Sequence, residues 1–292
     1  MATPFPSPTK KWHTDTYQAI SPSRPELSLK GKVVVVTGGG AGIGARTTRS
    51  FAEAGAAHIA ILGRRKAVLE STASEIRSSF PNTKIHTFSA DITDKKAIDK
   101  VFRDFSEAVG KIDVLVSNAA AGDVEPSIKD LDPEAWFYIV ETNIKGPLVL
   151  AQAFLAYGKE DGVIINVTSG LSFLFGPGMS AYCVSKEAAV RFFQIVGMEN
   201  PKLRVVHVQP GVIMTDMNKK SGMPAQDEIA LPADFMVWLS SPEASFLSGK
   251  YTFANWDVEE LKALQGEIKE KRLLEMYLTG LDFMPANAEL QG

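Results

Sequence analysis

The sequence predicts an α/β fold organised as a doubly wound parallel sheet, and three observations carry that expectation. Short apolar, β-branched runs alternate with longer amphipathic patterns along most of the chain, the rhythm of strands joined by crossover helices. The first of these runs, Val33-Val34-Val35-Val36, is apolar at every position rather than at every second one, as a central strand covered on both faces must be. It passes directly into Gly38-Gly39-Gly40-Ala41-Gly42-Ile43-Gly44 and then a helical pattern over 45–55 with Phe51 and Ala52 toward the core. Strand, glycine turn and helix make up the front half of a dinucleotide-binding unit.

In chain order, residues 1–30 are rich in Pro, Ser and Thr without periodicity, which predicts a flexible arm; Trp12 and Tyr17 could pin part of it to the body. The glycine turn follows the first strand for a chemical reason. Backbone must pass close to a pyrophosphate there, where a Cβ obstructs, and the N–H groups at the helix start attract phosphate. Thr37, Gly38, Gly42 and Gly44 fit a Thr-Gly-x-x-x-Gly-x-Gly pattern, whereas only Gly40, Gly42 and Ala45 meet the G-x-G-x-x-G/A spacing. The second strand, 58–62, ends in Gly63-Arg64-Arg65. Arg64 stands twenty positions past Gly44, where an NAD enzyme keeps a carboxylate for the ribose 2′-hydroxyl. A guanidinium matches a 2′-phosphate bidentately, so NADP(H) is favoured over NAD(H). The plainer reading is two solvated arginines at a helix start, and Ala41 offers no second cation.

A helix over 66–79 stops before Pro81, and a third strand, 84–89, leads to Asp91. Asp91 follows a strand end, where ligands gather in such sheets; it could accept a hydrogen bond from adenine or simply cap a turn. A helix over 95–109 and a strand over 112–116 precede Ser117-Asn118-Ala119-Ala120-Ala121-Gly122, small residues that again let backbone approach a ligand. After a loop at 123–132, Pro133 opens a long helical pattern containing Asn143, locally unfavourable there, and Pro147. The strand 162–168 delivers Ser169 to an apolar, Gly- and Pro-broken loop at 171–179. A helix over 181–198, a strand over 203–209 and Pro210-Gly211-Val212-Ile213-Met214-Thr215 follow. Residues 217–231 read as an irregular lid, 232–239 as a helix, 251–253 as a last strand, and 257–278 as one long amphipathic helix.

Composition narrows the function classes. Of 292 residues, 45% are hydrophobic and the formal net charge is −3, which points away from nucleic acid or an anionic membrane as partner. The single cysteine, Cys183, rules out an internal disulfide framework and suits a reducing compartment. No apolar stretch reaches membrane-span length, and the start resembles no secretory signal, so a cytoplasmic protein is expected. His13, His58, His86 and His207 are scattered, so no metal site is expected.

The chemistry concentrates at Thr168 to Lys186. Tyr182 and Lys186 are four apart at a helix start and therefore share a face. A phenol ordinarily titrates near ~10, and an adjacent cation favours its ionised form. Hydride transfer to a ketone or from an alcohol needs such a group, because a proton moves with the hydride. Phe173, Leu174, Phe175, Met179, Met214 and Met217 could line an apolar substrate pocket.

Thr37-Gly38 with Gly42-Ile43-Gly44, Asp91, Asn118-Ala119-Ala120, Asn143, Ser169, Tyr182 with Lys186, and Pro210-Gly211, in that order, resemble the short-chain dehydrogenase/reductase family over about residues 29–253. Ser169 lies thirteen positions before Tyr182, the family interval. The resemblance implies a three-layer Rossmann fold with a seven-stranded parallel sheet in the order 3-2-1-4-5-6-7. It implies domain limits of 31–255, with a C-terminal helix and tail at 256–292, and a homodimer or homotetramer formed through the helices carrying Asn143 and Tyr182. It makes Tyr182 the acid-base, Lys186 the group that lowers the tyrosine's pKa and holds the nicotinamide ribose, Ser169 the carbonyl-polarising hydroxyl, and Asn143 the holder of a water between Lys186 and solvent. Gly38, Gly42, Ile43, Gly44, Arg64, Asp91, Asn118, Ile213 and Thr215 join Tyr182 and Lys186 as cofactor contacts. Ser117 where Asn is common, and Asn255-Trp256-Asp257 in place of a glycine-rich ending, depart from the pattern. The expected function is an NADPH-dependent interconversion of a ketone and a secondary alcohol on a fairly apolar small molecule. The alternative is a cofactor-binding relative with a non-redox or regulatory role.

Overall fold

The computed structural model describes residues 5–276. Its centre is a seven-stranded, wholly parallel sheet in the order β3-β2-β1-β4-β5-β6-β7. The strands are β1 (Val33–Thr37), β2 (His58–Gly63), β3 (Lys84–Ser89), β4 (Ile112–Ser117), β5 (Gly158–Val167), β6 (Arg204–Gln209) and β7 (Tyr251–Phe253). The helices are α1 (Gly42–Glu53), α2 (Lys66–Ser79), α3 (Lys95–Val109), α4 (Pro133–Tyr157), α5 (Ser180–Glu199), α6 (Asp216–Ser221), α7 (Ala230–Ser240), α8 (Val258–Ala263) and α9 (Gln265–Glu270).

Two cores explain why β1 is apolar throughout. Val34 and Val36 pack with Phe51 of α1, Leu69 of α2 and Phe235 and Trp238 of α7 on one face. Val33 and Val35 pack with Phe102 of α3, Phe154 of α4 and Phe193 of α5 on the other. Successive strand side chains point to opposite faces, so a strand between two helical layers needs apolar residues at every position. The seven-stranded, three-layer expectation is therefore the observed architecture. All strand C-termini leave the sheet on one edge, where the β1, β4, β5 and β6 exits converge, and that is where ligands sit in sheets of this topology.

Three segments differ from the sequence reading. The lid at 217–231 contains α6, started by Thr215, whose Oγ1 accepts from the Asn218 N–H at 3.2 Å, and ended by Gly222 at φ 67°. The long helix expected over 257–278 is two short ones broken at Leu264 (φ −89°, ψ 0°), with 277–278 outside the described residues. Gly266 weakens the helix, and the chain turns back so that the Leu274 carbonyl accepts from the Tyr251 N–H at 2.7 Å. A bond to the edge strand leaves no trace in the helix's own periodicity. Finally, the described part of the arm is packed on the body rather than free. Trp12 bridges Trp256, the Tyr17 hydroxyl donates to the Trp256 carbonyl at 3.1 Å, and Thr16 Oγ1 donates to Asp234 at 2.6 Å. Among the described residues no helix is long and apolar enough to cross a membrane.

Candidate active site

The glycine turn is shaped by two tight constraints. Gly42 opens α1 at φ +52°, a conformation that disfavours a side chain. A Cβ on Gly44 would run into the Gly38 carbonyl and lie 2.7 Å from Asn118 Nδ2. The turn is thus tied to the β4 exit. The Asn118 and Ala119 N–H groups donate to Thr37 Oγ1 at 2.9 and 3.0 Å, and Asn118 Nδ2 donates to the Thr37 carbonyl at 2.8 Å. Asn118 accordingly locks two strand ends together through its side-chain amide and its backbone N–H. Ala41 precedes α1 without a side-chain cap, so the first-turn N–H groups keep their donors for an anion.

Above this turn lies a cavity of about 550 Å³ bordered by Gly38, Gly42, Ile43, Arg64, Asp91, Asn118, Lys186 and Thr215. Arg64 is held by its Nη1 donating to the Tyr138 hydroxyl of α4 at 2.5 Å. Asp91 caps its own turn, with Oδ1 accepting from the Thr93 N–H at 2.9 Å and the Thr93 hydroxyl at 2.8 Å. Burial works to raise that carboxyl, but the Thr93 bonds and the cations Arg64 and Lys145 hold it below its ordinary value. An uncapped helix start and a guanidinium in the cavity lining fit the phosphates of an adenine dinucleotide.

Ser169 leaves β5 in extended backbone (φ −155°). Its carbonyl accepts from the Tyr251 hydroxyl at 2.7 Å and from Ser172 Oγ at 2.8 Å, and its Oγ accepts from the Leu171 N–H at 3.2 Å. Tyr182 sits in the first turn of α5. That turn is capped across space by Glu125, which accepts from the Ala181 N–H at 2.9 Å and from Ser180 Oγ at 2.6 Å. Lys186, one turn further, is buried; its Nζ donates to the Val167 carbonyl at 2.9 Å and lies 5.6 Å from the Tyr182 ring centroid.

The expected lowering of the Tyr182 pKa by Lys186 is not what this geometry gives. Burial pushes Tyr182 up to about 12, outweighing its hydrogen bond with Ser169. Burial also pulls Lys186 down to about 8. The ammonium lies over the ring face and spends its bond on Val167, and burial disfavours both charged forms. The Asn143 side chain is bonded to the 118–122 loop and to α5. Its Oδ1 accepts from the Ala121 N–H at 2.8 Å, while Nδ2 donates to the Ala121 carbonyl at 2.8 Å and to Ser185 Oγ at 3.0 Å. This buried amide ties the 118–122 loop to α5, which explains a polar residue in mid-helix.

A second cavity of about 380 Å³, mostly apolar, adjoins the first. Ser169 and Ile213 line the apolar cavity, Lys186 lines the other, and Tyr182 lines both, as do Ile43, Thr168, Pro210, Thr215 and Met217. Of the apolar candidates, Leu174, Met179 and Met217 reach the second cavity. Phe173 instead packs on Tyr251 at 5.5 Å, Phe175 is 90% exposed, and Met214 borders the first cavity. Phe5, Val124, Gln209 and Met223 line the apolar cavity without any sequence signal; each comes from an element distant along the chain from Tyr182. Cys183 is half-buried and free, its thiol pushed up by burial. No group of three or more His, Cys, Asp or Glu among the described residues could hold a metal ion.

A family model described as short chain dehydrogenase matches residues 32–225. A short chain dehydrogenase/reductase of Claviceps purpurea is 35% identical over 268 residues, covering 89% of this chain and 90% of the relative. The short chain dehydrogenase pigC of Monascus ruber is 33% identical over 277 residues, covering 89% and 90%. Among solved structures, a mutant of a Serratia marcescens short-chain dehydrogenase/reductase superposes with a TM-score of 0.71 at 25% identity, over 77% of this chain and 96% of that one.

Proposed function

Because the chain belongs to the short-chain dehydrogenase/reductase family and is an NAD(P)-dependent oxidoreductase, we propose that it interconverts a ketone and a secondary alcohol on an apolar small molecule, with NADP(H) preferred over NAD(H). The observation that carries this reading is the position of Tyr182 in the wall common to both cavities. A group there can reach a reacting carbon–oxygen bond on one side and a nicotinamide ring on the other.

A bound nicotinamide nucleotide supplies the hydride. The Tyr182 hydroxyl gives its proton to the ketone oxygen in reduction and takes one from the alcohol in oxidation; burial raises its pKa to about 12, so the phenol is protonated at neutral pH. Ser169 Oγ donates to the same oxygen and stabilises the charge developing on it. Lys186, buried beside the Tyr182 ring, would hold the ribose. Asn143 keeps the 118–122 loop and α5 in register and acts as a positioning residue. Gly38, Gly42, Ile43, Gly44 and Asn118 would hold the pyrophosphate side, Asp91 the adenine, Arg64 the 2′-phosphate, and Ile213 and Thr215 the nicotinamide end. The preference for NADP(H) is supported by Arg64 at the cavity rim and by the glycine, not an acid, that precedes it.

Leu155, Val184, Ile195 and Met198 on α4 and α5 are exposed, which supports a homodimer or homotetramer built through those helices. The test of function follows NADPH absorbance with a panel of aryl and polycyclic ketones. Wild type is expected to oxidise NADPH with at least one of them, and Tyr182→Phe is expected to lose more than about a hundredfold in kcat while still binding NADPH. Tight NADPH binding with no turnover across the panel would sink the reductase reading in favour of a non-redox or regulatory role.

A further inference from the structure

The N-terminal arm reaches a place that no motif assigns. Phe5 is part of the wall of the apolar cavity that holds Ser169 and Tyr182. It is set there by aromatic neighbours: its ring centroid lies 6.1 Å from Trp12 and 5.9 Å from Phe253, and Trp12 itself lies 6.1 Å from Phe253. Phe253 ends the edge strand β7, so the arm's position is referenced to the sheet.

The arm is also bonded to the loops that close the cavity. Asn255 is the hub: its carbonyl accepts from the His13 N–H at 2.8 Å, and its Nδ2 donates to the His13 carbonyl at 2.8 Å and to Asp227 Oδ1 at 2.8 Å. Asp227 Oδ2 in turn accepts from the Val212 N–H at 2.7 Å, and Val212 lines the same cavity. One residue on, the Glu228 N–H donates to the Thr14 carbonyl at 2.7 Å, just before α7. Arm, lid root and the 210–215 loop therefore form one bonded unit. Asp227 is half-buried and its carboxyl is raised by burial against the bonds from Val212 and Asn255; such a group is held in place by its partners rather than by water.

We propose that the N-terminal arm is a wall of the substrate pocket, with Phe5 as its specificity-determining residue and Asn255 as the positioning residue that joins the arm to the lid root. An aromatic ring set on a packed cluster limits how much apolar bulk the cavity admits beyond the reacting carbonyl. Hydrophobic pockets discriminate by volume, and a single methylene's worth of space shifts preference by roughly 10–200-fold. The inference rests on the proposed ketone reading for its choice of substrates, though its geometry does not depend on it.

The test compares acetophenone with 2-acetylnaphthalene, which share a reacting centre and differ only in apolar bulk. Phe5→Ala is expected to shift the ratio of kcat/KM by about tenfold toward the larger ketone, and Phe5→Trp to shift it toward the smaller one. Asn255→Ala should move the ratio in the same direction as Phe5→Ala, because it frees the arm; a structural role alone would lower Tm without moving the ratio. NADPH affinity, measured separately, should be unchanged by either Phe5 substitution. Where neither ketone is turned over, the ratio of their dissociation constants by calorimetry, with NADP+ saturating, reads the same wall without catalysis. That outcome counts against the ketone reading and leaves the inference to stand or fall on binding. A selectivity ratio unchanged within twofold in both Phe5 variants overturns it.

Discussion

Replacing Lys186 with Met should stabilise the folded chain at neutral pH even as it removes a proposed functional group. Lys186 is 6% exposed, and its ammonium donates to one carbonyl, that of Val167, at 2.9 Å. Burial lowers its pKa from 10.5 to about 8. At about 1.4 kcal/mol per tenfold this places roughly 3 kcal/mol of destabilisation on the charged form in the fold. Methionine keeps the apolar stem and loses one hydrogen bond worth about 1 kcal/mol, so a net gain of about 2 kcal/mol is expected at pH 7. The sign with pH follows from proton counts. Between about pH 8 and 10.5 the unfolded chain holds the lysine proton and the folded one has released it, so wild-type stability rises with pH there. Urea denaturation of both proteins without nucleotide isolates the residue, because every other group titrates alike in the two. The stability gap should be about 2 kcal/mol at pH 7 and close to nothing by about pH 9.5. A wild type that is the more stable at pH 7, or a gap that does not change with pH, would refute the claim that this ammonium is buried without a compensating charge.

Three further substitutions probe other parts of the site. Arg64→Asp should weaken NADPH binding by at least about tenfold, or about 1.4 kcal/mol, in a fluorescence titration; an unchanged affinity would show that the guanidinium does not read the 2′-phosphate. Gly44→Ala places a methyl group 2.7 Å from Asn118 Nδ2 and against the Gly38 carbonyl. It should cost about 1–3 kcal/mol of stability and weaken nucleotide binding; a Tm within about a degree of wild type would contradict that packing. Asn143→Ala removes both bonds to Ala121 and the one to Ser185. A loss of about 2–3 kcal/mol is expected from the buried groups left unpaired, visible as a lowered urea midpoint; no change would mean that water replaces the amide.

What could be read from the sequence was local in the chain. Val33 to Gly44 displays a buried strand, a glycine turn and a helix start within a dozen residues, and the structure has β1, the turn and α1 there. The Tyr182 and Lys186 spacing puts both on α5, and periodicity was enough because one helix carries them. The pKa of Tyr182 was not legible, since burial of the phenol depends on segments from four strand exits rather than on its neighbour at i+4. The capping of α5 by Glu125 spans 56 residues, and the bond from the Tyr251 hydroxyl to the Ser169 carbonyl spans 82. Neither spacing has a motif. The break at Leu264 escaped for a related reason: an apolar stripe at 261, 264 and 268 fits one helix, and the bond that carries Leu274 back to β7 lies outside that periodicity. Phe5 lies in a stretch whose Pro, Ser and Thr content reads as unstructured, and its contact with Phe253 joins opposite ends of the chain.

The central claim, that Tyr182 gives the proton while a nicotinamide gives the hydride across the wall between the two cavities, is tested most directly by isotope transfer. Wild-type protein is incubated with NADPH deuterated at the transferable C4 position and with a ketone from the panel, and the alcohol is analysed by mass spectrometry. The account predicts one deuterium on the carbinol carbon, and no alcohol from Tyr182→Phe that still binds NADPH. Deuterium transfer by Tyr182→Phe at the wild-type rate, or an alcohol formed without deuterium, would contradict it.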